Sequence, residues 1–290
     1  MTAVPPAAEG LGSPTERATP ATTGPTPATT ALDTGTPHPA RVYDWFLGGT
    51  DHYAADADLG RQLVALDAST KYCARHNRWF MQRATRHLAG AAGIRQFLDL
   101  GSGIPTEPNL HRVAQSLAPD ARVVYVDNDP IVLAHAEPLM AGTATGASTF
   151  LQADVREPDR ILELAASVLD FDEPIALSLI ALLHFVSDED GAQEIVARLV
   201  DALAPGSHLV LSQMAGDWIP ERTDRAVQMY EAGGVTLVPR SREEVLRLFA
   251  GFELLDPGLV WPPDWRPDLG VAEVRDGTEV PLYAGVGRKG

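Results

Sequence analysis

The sequence predicts an α/β fold in which a mostly parallel sheet is covered by helices on both faces. Short apolar runs typical of buried parallel strands recur along the chain, and amphipathic helical patterns lie between them. The first such run, FLDL (97–100), leads into a Gly-x-Gly turn and then a helix. Because strands that alternate with helices are joined by right-handed crossovers, the helices come to cover both faces of the sheet.

The turn after this first run has the composition of a ligand-binding loop. Asp99 ends the run, and Gly101, Ser102 and Gly103 form a tight turn before the helix. Two glycines allow backbone N–H groups to approach a ligand closely, near the positive end of a helix. A Gly-x-Gly turn is also an ordinary tight connection, so further residues are needed to support a binding site.

Two further acids follow the next two predicted strands. The run VVYV (123–126) ends in Asp127, where βαβ units bind a ribose hydroxyl. The third strand (149–153) ends at Asp154, on the same carboxyl edge of the sheet. The Asp154 carboxylate can accept a hydrogen bond from an adenine amino group, or it can cap the helix that begins near Pro158. A cofactor that carries a nucleoside is therefore the first hypothesis.

The residues around the turn favour one nucleoside cofactor over another. A dinucleotide fingerprint needs a third small residue three positions after the second glycine, and Thr106 occupies that position. The negative charge of Asp99 is unfavourable for a pyrophosphate but suits a cationic amino group. S-adenosylmethionine has an ammonium, a sulfonium and a ribose but no phosphate, so it fits better than NAD. A nicotinamide-dependent oxidoreductase is the weaker alternative.

Charge and composition argue against several classes of partner. Lysine and arginine number 23 against 39 acids, and the formal net charge of −16 is unfavourable for nucleic-acid binding. The longest apolar stretch (175–186) is too short to span a bilayer. The single cysteine, Cys73, cannot form an internal disulfide, and no metal-ligand spacing is present. We expect a cytoplasmic protein with no metal and no nucleic-acid or membrane partner; the sequence assigns no oligomeric state.

Composition divides the chain into three parts. Residues 1–39, rich in Pro, Thr and Ala, are predicted to form a disordered tail. Residues 40–92 are predicted to form an N-terminal helical cap, because aromatic side chains such as Tyr43 beside glycines and charged groups suit the cover of a pocket. The cap also contains Arg78, which can bind a carboxylate or lie in solvent. Residues 93–290 form the predicted cofactor-binding domain.

The remaining elements complete the predicted sheet. Helical patterns occupy 55–66, 69–89, 108–117, 131–141, 160–169, 187–203, 221–234 and 241–250, and later strands occupy 175–183, 207–214, 252–255 and 282–288. Ser187 is the expected N-cap of its helix. The apolar strand 175–183 is expected at the sheet centre, and it ends at His184. A methyl acceptor such as a hydroxyl needs a general base, and His184 is the candidate because an ordinary histidine titrates near neutrality.

In these residues the chain resembles the class I S-adenosylmethionine-dependent methyltransferases. More narrowly, it resembles the actinobacterial S-adenosyl methyltransferase family of formerly unknown function (DUF574). The most diagnostic segments are RVYDWFLGGTDHY and FLDLGSGIPT, whereas VDNDP is shared across the superfamily; PRSREEV and WRPD extend the similarity to the C-terminal part. The resemblance implies a Rossmann-like, seven-stranded sheet whose last strand is antiparallel.

The resemblance also implies roles for individual residues. Those implied to bind S-adenosylmethionine are Asp99, Gly101 and Gly103 at the methionine side, Asp127 at the ribose, and Asn128, Asp154 and Val155 at the adenine. Asn128 departs from the pattern, since many methyltransferases carry an apolar residue there. We add Ser102, Tyr43 and Arg78 as candidates from their positions in the turn and the cap.

The expected function is methyl transfer from S-adenosylmethionine to a small-molecule acceptor. After the central strand the chain reads LLHF (182–185) rather than the Asn/Asp-Pro-Pro-aromatic motif of DNA amino-methylating enzymes. Together with the acidic balance, this disfavours nucleic acid as the acceptor. An S-adenosylmethionine-binding regulatory protein that does not methylate is the alternative from another functional class.

Overall fold

The computed structural model describes residues 33–136, 145–270 and 278–290 of the chain. Its strands are β1 (Gln96–Leu100), β2 (Arg122–Asp127), β3 (Ala147–Gln152), β4 (Ala176–Ile180), β5 (His208–Met214), β6 (Phe252–Leu254) and β7 (Leu282–Lys289). Within the described ranges they form one seven-stranded sheet in the order β3-β2-β1-β4-β5-β7-β6. Strands β1 to β5 pair in parallel, and β7 pairs antiparallel with both β5 and β6. This order confirms the predicted sheet.

Helices lie between the strands and before the first of them. They are α1 (Pro39–Leu47), α2 (Ala54–Leu66), α3 (Thr70–Gly90), α4 (Leu110–Leu117), α5 (Pro130–Ala136), α6 (Pro158–Ala165), α7 (Ala192–Asp201), α8 (Pro220–Ala232) and α9 (Arg242–Leu248). Short 3₁₀ segments occupy 183–185, 262–264 and 267–269. In the described part of the chain, no helix combines the length and the apolar character needed to cross a membrane.

Side chains of the central strands pack into two separate cores, one on each face of the sheet. On β1, Leu98 and Leu100 belong to the core beneath α6 and α7, whereas Phe97 belongs to the core beneath α3 and α4. This division follows from the pleat, which turns successive side chains to opposite faces. Because both faces are covered, the carboxyl edge of the parallel strands is the natural place for a ligand.

A third core joins the N-terminal helices to α8. Buried residues of α1, α2 and α8, among them Phe46, Leu63 and Tyr230, pack in one apolar cluster above the carboxyl edge of the sheet. Residues 33–39 were assigned to the tail by composition, but α1 already begins at Pro39. Most of the predicted disordered tail, residues 1–32, lies outside the described residues, so its state stays a prediction.

Two predicted element boundaries differ from the structure. The central strand ends at Ile180 rather than at 183, since Ala181 has a left-handed φ of 54° and the chain turns into the 3₁₀ segment. Ser187 does not cap a helix directly, because its Oγ accepts the Asp190 N–H (2.9 Å) in a turn and α7 begins only at Ala192. The end of the predicted helix 131–141 falls outside the described residues.

The Trp265 side chain fixes the loop between β6 and β7 against α3. Trp265 is 0% exposed and meets Phe80 edge-on, with ring centroids 5.5 Å apart. The Arg83 guanidinium on α3 donates to the main-chain oxygens of Trp265 (2.8 Å) and Pro262 (2.6 Å). The loop is therefore part of the core that supports α3.

We expect Trp265→Ala to lower the free energy of unfolding by about 3–5 kcal/mol, because the truncation leaves a cavity that the surrounding side chains fill only partly. Urea denaturation followed by circular dichroism measures the change. Leu117→Ala, which truncates a side chain that is 50% exposed, is the control and should change stability by less than about 0.5 kcal/mol. Equal midpoints for the two variants would contradict the anchoring role of Trp265.

Candidate active site

A cavity of about 410 Å³ lies at the carboxyl ends of β1, β2, β3 and β4. We call it the cofactor cavity. The residues predicted to bind the cofactor all line it: Tyr43, Arg78, Asp99, Gly101, Ser102, Gly103, Asp127, Asn128, Asp154 and Val155. The structure thus brings the three strand-end acids to one hollow, although their contacts with a ligand stay predictions.

The glycine turn is fastened to β2 by its backbone. The Gly101 N–H donates to the Val126 main-chain oxygen (2.8 Å), and the Gly103 N–H donates to Asp127 Oδ2 (2.8 Å). Both glycines have left-handed φ angles, 66° and 65°. A Cβ atom on Gly101 would lie 2.5 Å from Leu182 Cδ1, so a side chain there would be both strained and crowded. The turn holds its shape because these positions lack side chains.

Asp127 is held at the cavity wall by hydrogen bonds to both carboxylate oxygens. Besides the bond from Gly103, its Oδ1 accepts the Asp129 N–H (3.0 Å). Burial raises the pKa of Asp127, and the two backbone N–H donors oppose that rise. Asp129 in turn accepts the Ile131 N–H at the start of α5 (2.9 Å), as expected for a capping residue.

Asp99 lies beside Ser178 of β4, its partner in the strand register, and it faces the cofactor cavity. Burial raises the pKa of Asp99 to about 7, while Ser178 and the Arg78 guanidinium favour the ionised form. The Arg78 guanidinium donates to the main-chain oxygen of Thr106 (2.6 Å). A cationic group bound next to Asp99 would stabilise the charge that burial disfavours.

Asp154 already has partners in the protein. It accepts hydrogen bonds from Asn128 Nδ2 (3.1 Å) and from the Arg156 N–H (2.9 Å), and its carboxylate pairs with the Arg156 guanidinium at 3.0 Å. The alternative role as a cap of α6 is not seen, because that helix begins at Pro158 and the backbone bond goes to Arg156. A ligand amino group at this position would share the carboxylate with Arg156, which sequence reasoning missed.

The segment before α1 closes one side of the cofactor cavity. Thr36 and His38 line the cavity, and His38 Nδ1 lies 3.1 Å from Asp129 Oδ2. The buried Arg41 guanidinium donates to the main-chain oxygens of Asp33 (3.1 Å) and Thr36 (3.0 Å), while its Nε lies 3.4 Å from Asp129. Sequence reasoning missed this wall, since Pro and Thr there indicated a tail.

A second, smaller cavity of about 140 Å³ adjoins the first, and we call it the acceptor cavity. The residues that line both cavities are Pro39, Tyr43, Asn77, Ala181 and Phe185. The Tyr43 hydroxyl donates to the Ala74 main-chain oxygen (2.9 Å), so it must accept the hydrogen bond from Asn77 Nδ2 (3.1 Å). Burial raises the pKa of Tyr43 to about 12, and the phenol is therefore neutral at physiological pH.

His184 lines the acceptor cavity and not the cofactor cavity. Its 3₁₀ segment is held by the buried Arg240, which donates to the main-chain oxygens of Leu183 (2.7 Å) and Val186 (3.0 Å). Burial, with a smaller effect of the Arg240 charge, lowers the pKa of His184 to about 3. A general base works best with a pKa near neutrality, so the low pKa of His184 is unfavourable for that role, which stays a prediction.

These observations define a class of protein. The strand order with an antiparallel β7, and a glycine turn between strand-end acids, are the architecture of an α/β enzyme that binds a nucleoside cofactor at the sheet edge. Residues 25–290 match the family model described as S-adenosyl methyltransferase, and the chain belongs to this family. It is an S-adenosylmethionine-dependent methyltransferase, and S-adenosyl-L-methionine is its cofactor, as the resemblance implied.

Two solved structures are similar over nearly the whole chain. A DUF574 family protein from Streptomyces avermitilis shares 42% identity, covering 89% of this chain and 99% of that chain, with a TM-score of 0.85. A protein from Thermobifida fusca, described as a candidate methyltransferase, shares 40% identity over 90% of this chain and 97% of that chain, with a TM-score of 0.82. No curated protein matches the chain.

We expect Asp127→Ala to weaken binding of S-adenosylhomocysteine by about 10- to 100-fold, because hydrogen bonds to a charged group are worth about 1.5–3 kcal/mol. Isothermal titration calorimetry measures the affinity. Asp120→Ala removes a carboxylate just before β2 that is 63% exposed and lies outside the cavity lining, and it should leave the affinity unchanged. Unchanged affinity in Asp127→Ala would remove the ribose assignment.

The His184 imidazole should stay neutral from pH 8 down to pH 5, because its pKa of about 3 lies below that range. Two-dimensional ¹⁵N–¹H NMR of the imidazole rings measures protonation directly, and loss of one signal set in His184→Gln identifies the ring. A titration midpoint between pH 6 and 7 would restore His184 as a general base.

Proposed function

We propose that this methyltransferase acts on a small-molecule acceptor that binds in the acceptor cavity. The observation that carries this proposal is the shared wall of the two cavities, where Tyr43, Asn77 and Phe185 line both. A methyl donor in one cavity and an acceptor in the other would then meet at this boundary, where these side chains keep out bulk water. Positioning of two reactants can supply roughly 7–11 kcal/mol of a barrier.

The residues of the cofactor cavity fit S-adenosylmethionine. Carboxylates come from three strand ends, matching the ammonium, the ribose hydroxyls and the adenine amino group: Asp99, Asp127 and Asp154. Arg78 is placed to bind the methionine carboxylate beside Asp99. The cofactor supplies a methyl group on a sulfonium sulfur, which a nucleophile takes up while the C–S bond electrons pass to sulfur. We assign the cofactor contacts to these residues on the strength of this match.

The protein's own contribution is to hold the acceptor and exclude water. Buried residues of α1, α2 and α8 form the apolar roof of the acceptor cavity, and closure of such a site removes competing water. Three ionisable side chains in the lining of the acceptor cavity are poor bases at neutral pH: His184 with a pKa of about 3, and Tyr43 and Cys73 with pKa values of about 12. We therefore propose that the acceptor attacks with its own lone pair and that the methylated product loses any extra proton to bulk water after the site opens.

The overall charge supports a small molecule over a nucleic acid. The chain has 39 acidic residues against 23 lysines and arginines. Binding of a nucleic acid depends largely on basic side chains that contact phosphates, and a net negative protein repels such a polyanion instead. The acceptor cavity is also far too small for a stacked or flipped nucleotide with its backbone, since its volume is about 140 Å³.

Transfer of labelled methyl groups into a metabolite extract tests the proposal. The full chain is incubated with methyl-labelled S-adenosylmethionine and an extract filtered to remove macromolecules, with heat-denatured protein as the control. We expect protein-dependent label in one or a few small molecules. Label only in added RNA, DNA or protein would contradict the small-molecule acceptor. Cofactor binding without any transfer would favour the non-catalytic regulatory alternative.

A further inference from the structure

We propose that the acceptor cavity selects an uncharged molecule with a body about the size of one aromatic ring, held by hydrogen bonds to His184 and Tyr230. This inference rests on the proposed function, because it describes the acceptor of that same reaction. It goes further by naming the chemical class of the acceptor and two residues that recognise it.

The volume and the walls of the cavity set the size and polarity of its occupant. The cavity holds about 140 Å³, close to the 150 Å³ of a protein cavity lined by apolar side chains that binds benzene. Its apolar lining residues include Phe46, Leu63, Leu66, Phe185, Met214 and Trp218. An apolar ring therefore fits this cavity without steric conflict and packs against its apolar side chains.

The charges around the cavity balance. Among the described residues, the side chains with a fixed charge in its lining are Asp67 and Arg222, and they pair with each other at 3.5 Å. Burial keeps Tyr43, Cys73 and His184 in their neutral forms at pH 7. A charged acceptor would lose hydration and find no opposite charge that is free, which costs several kcal/mol per ion.

His184 presents a hydrogen-bond donor in this apolar setting. Its Nδ1 lies 3.4 Å from the Met214 N–H and accepts from it, so the proton of the neutral ring is on Nε2. Within the described part of the chain, Nε2 has no hydrogen-bond partner. Arg240 and the Phe185 ring, 4.4 Å from the imidazole centroid, fix the position of His184.

Tyr230 on α8 supplies the second polar group. Its ring packs 5.8 Å from Phe185, and its hydroxyl makes no hydrogen bond to any residue in the described ranges. Burial raises its pKa, so the hydroxyl is a neutral donor and acceptor. Hydrogen-bonding groups on a mostly apolar wall are typical of sites that orient a small ligand. An acceptor with a carbonyl or ring nitrogen beside its ring fits them.

Three probes of nearly the same shape test the charge selection. Benzamide is neutral, benzoate is an anion and benzamidine is a cation at pH 7. The full chain is saturated with S-adenosylhomocysteine, whose own affinity is measured by calorimetry, and probe binding is then followed by ligand-observed NMR. We expect benzamide to bind at least tenfold more tightly than either charged probe. Equal or tighter binding of a charged probe, or no benzamide binding, overturns the inference.

Variants of α8 test whether benzamide binds in the acceptor cavity. Tyr230→Phe should weaken benzamide binding by about three- to tenfold, the loss of one hydrogen bond, while leaving S-adenosylhomocysteine affinity unchanged. Ala226→Phe fills the cavity and should abolish probe binding, whereas Gln228→Phe places the same side chain on the exposed face of α8 and should not. Benzamide binding that persists in Ala226→Phe places the probe elsewhere and overturns the inference.

Failure of the cofactor assignment and failure of the neutral-acceptor proposal give different experimental results. A protein that does not bind S-adenosylhomocysteine at all refutes the cofactor assignment, and the proposed function falls with it. A protein that binds S-adenosylhomocysteine normally but prefers benzoate or benzamidine keeps the proposed function, and loses only the neutral acceptor.

Discussion

The hydrogen bonds between the glycine turn and β2 are the interaction on which the site depends. One carboxylate, Asp127, accepts the N–H of Gly103 on one side and the N–H of Asp129 on the other. It therefore fixes two segments at once: the glycine turn, which lines the cofactor cavity, and the chain just before α5. Burial of a carboxylate without such donors is energetically costly. The two N–H groups therefore stabilise the buried Asp127, and Asp127 in turn fixes the backbone that carries them.

Burial gives the two cavities different electrical characters. In the cofactor cavity, carboxylates and guanidinium groups lie close together. Burial raises the pKa of Asp99 to about 7, and a cationic ligand bound beside it would favour the ionised carboxylate. In the acceptor cavity, burial keeps the titratable side chains that flank the shared wall neutral. The sulfonium of the cofactor can therefore be bound on the charged side and face an uncharged nucleophile on the other.

Much of this arrangement could be predicted from the sequence, because it depends on local patterns. Buried strands, a Gly-x-Gly turn and acids at strand ends follow from neighbouring residues, and they located Asp99, Asp127 and Asp154 at one cavity. The low pKa of His184 could not be predicted, since it comes from burial beneath distant segments and from Arg240. Arg156 and Tyr230 were missed because only tertiary packing brings them to the site.

Residues 36–39 form one wall of the cofactor cavity, and the buried Arg41 side chain holds this wall in place. The Arg41 guanidinium donates to the main-chain oxygens of Asp33 and Thr36, and its Nε forms an ion pair with Asp129 at 3.4 Å. Displacing that segment would strip a desolvated cation of its acceptors, which is energetically unfavourable. A shortened polypeptide starting at Arg41 would keep all seven described strands yet lose one side of the cofactor cavity, so the functional unit begins before its first helix.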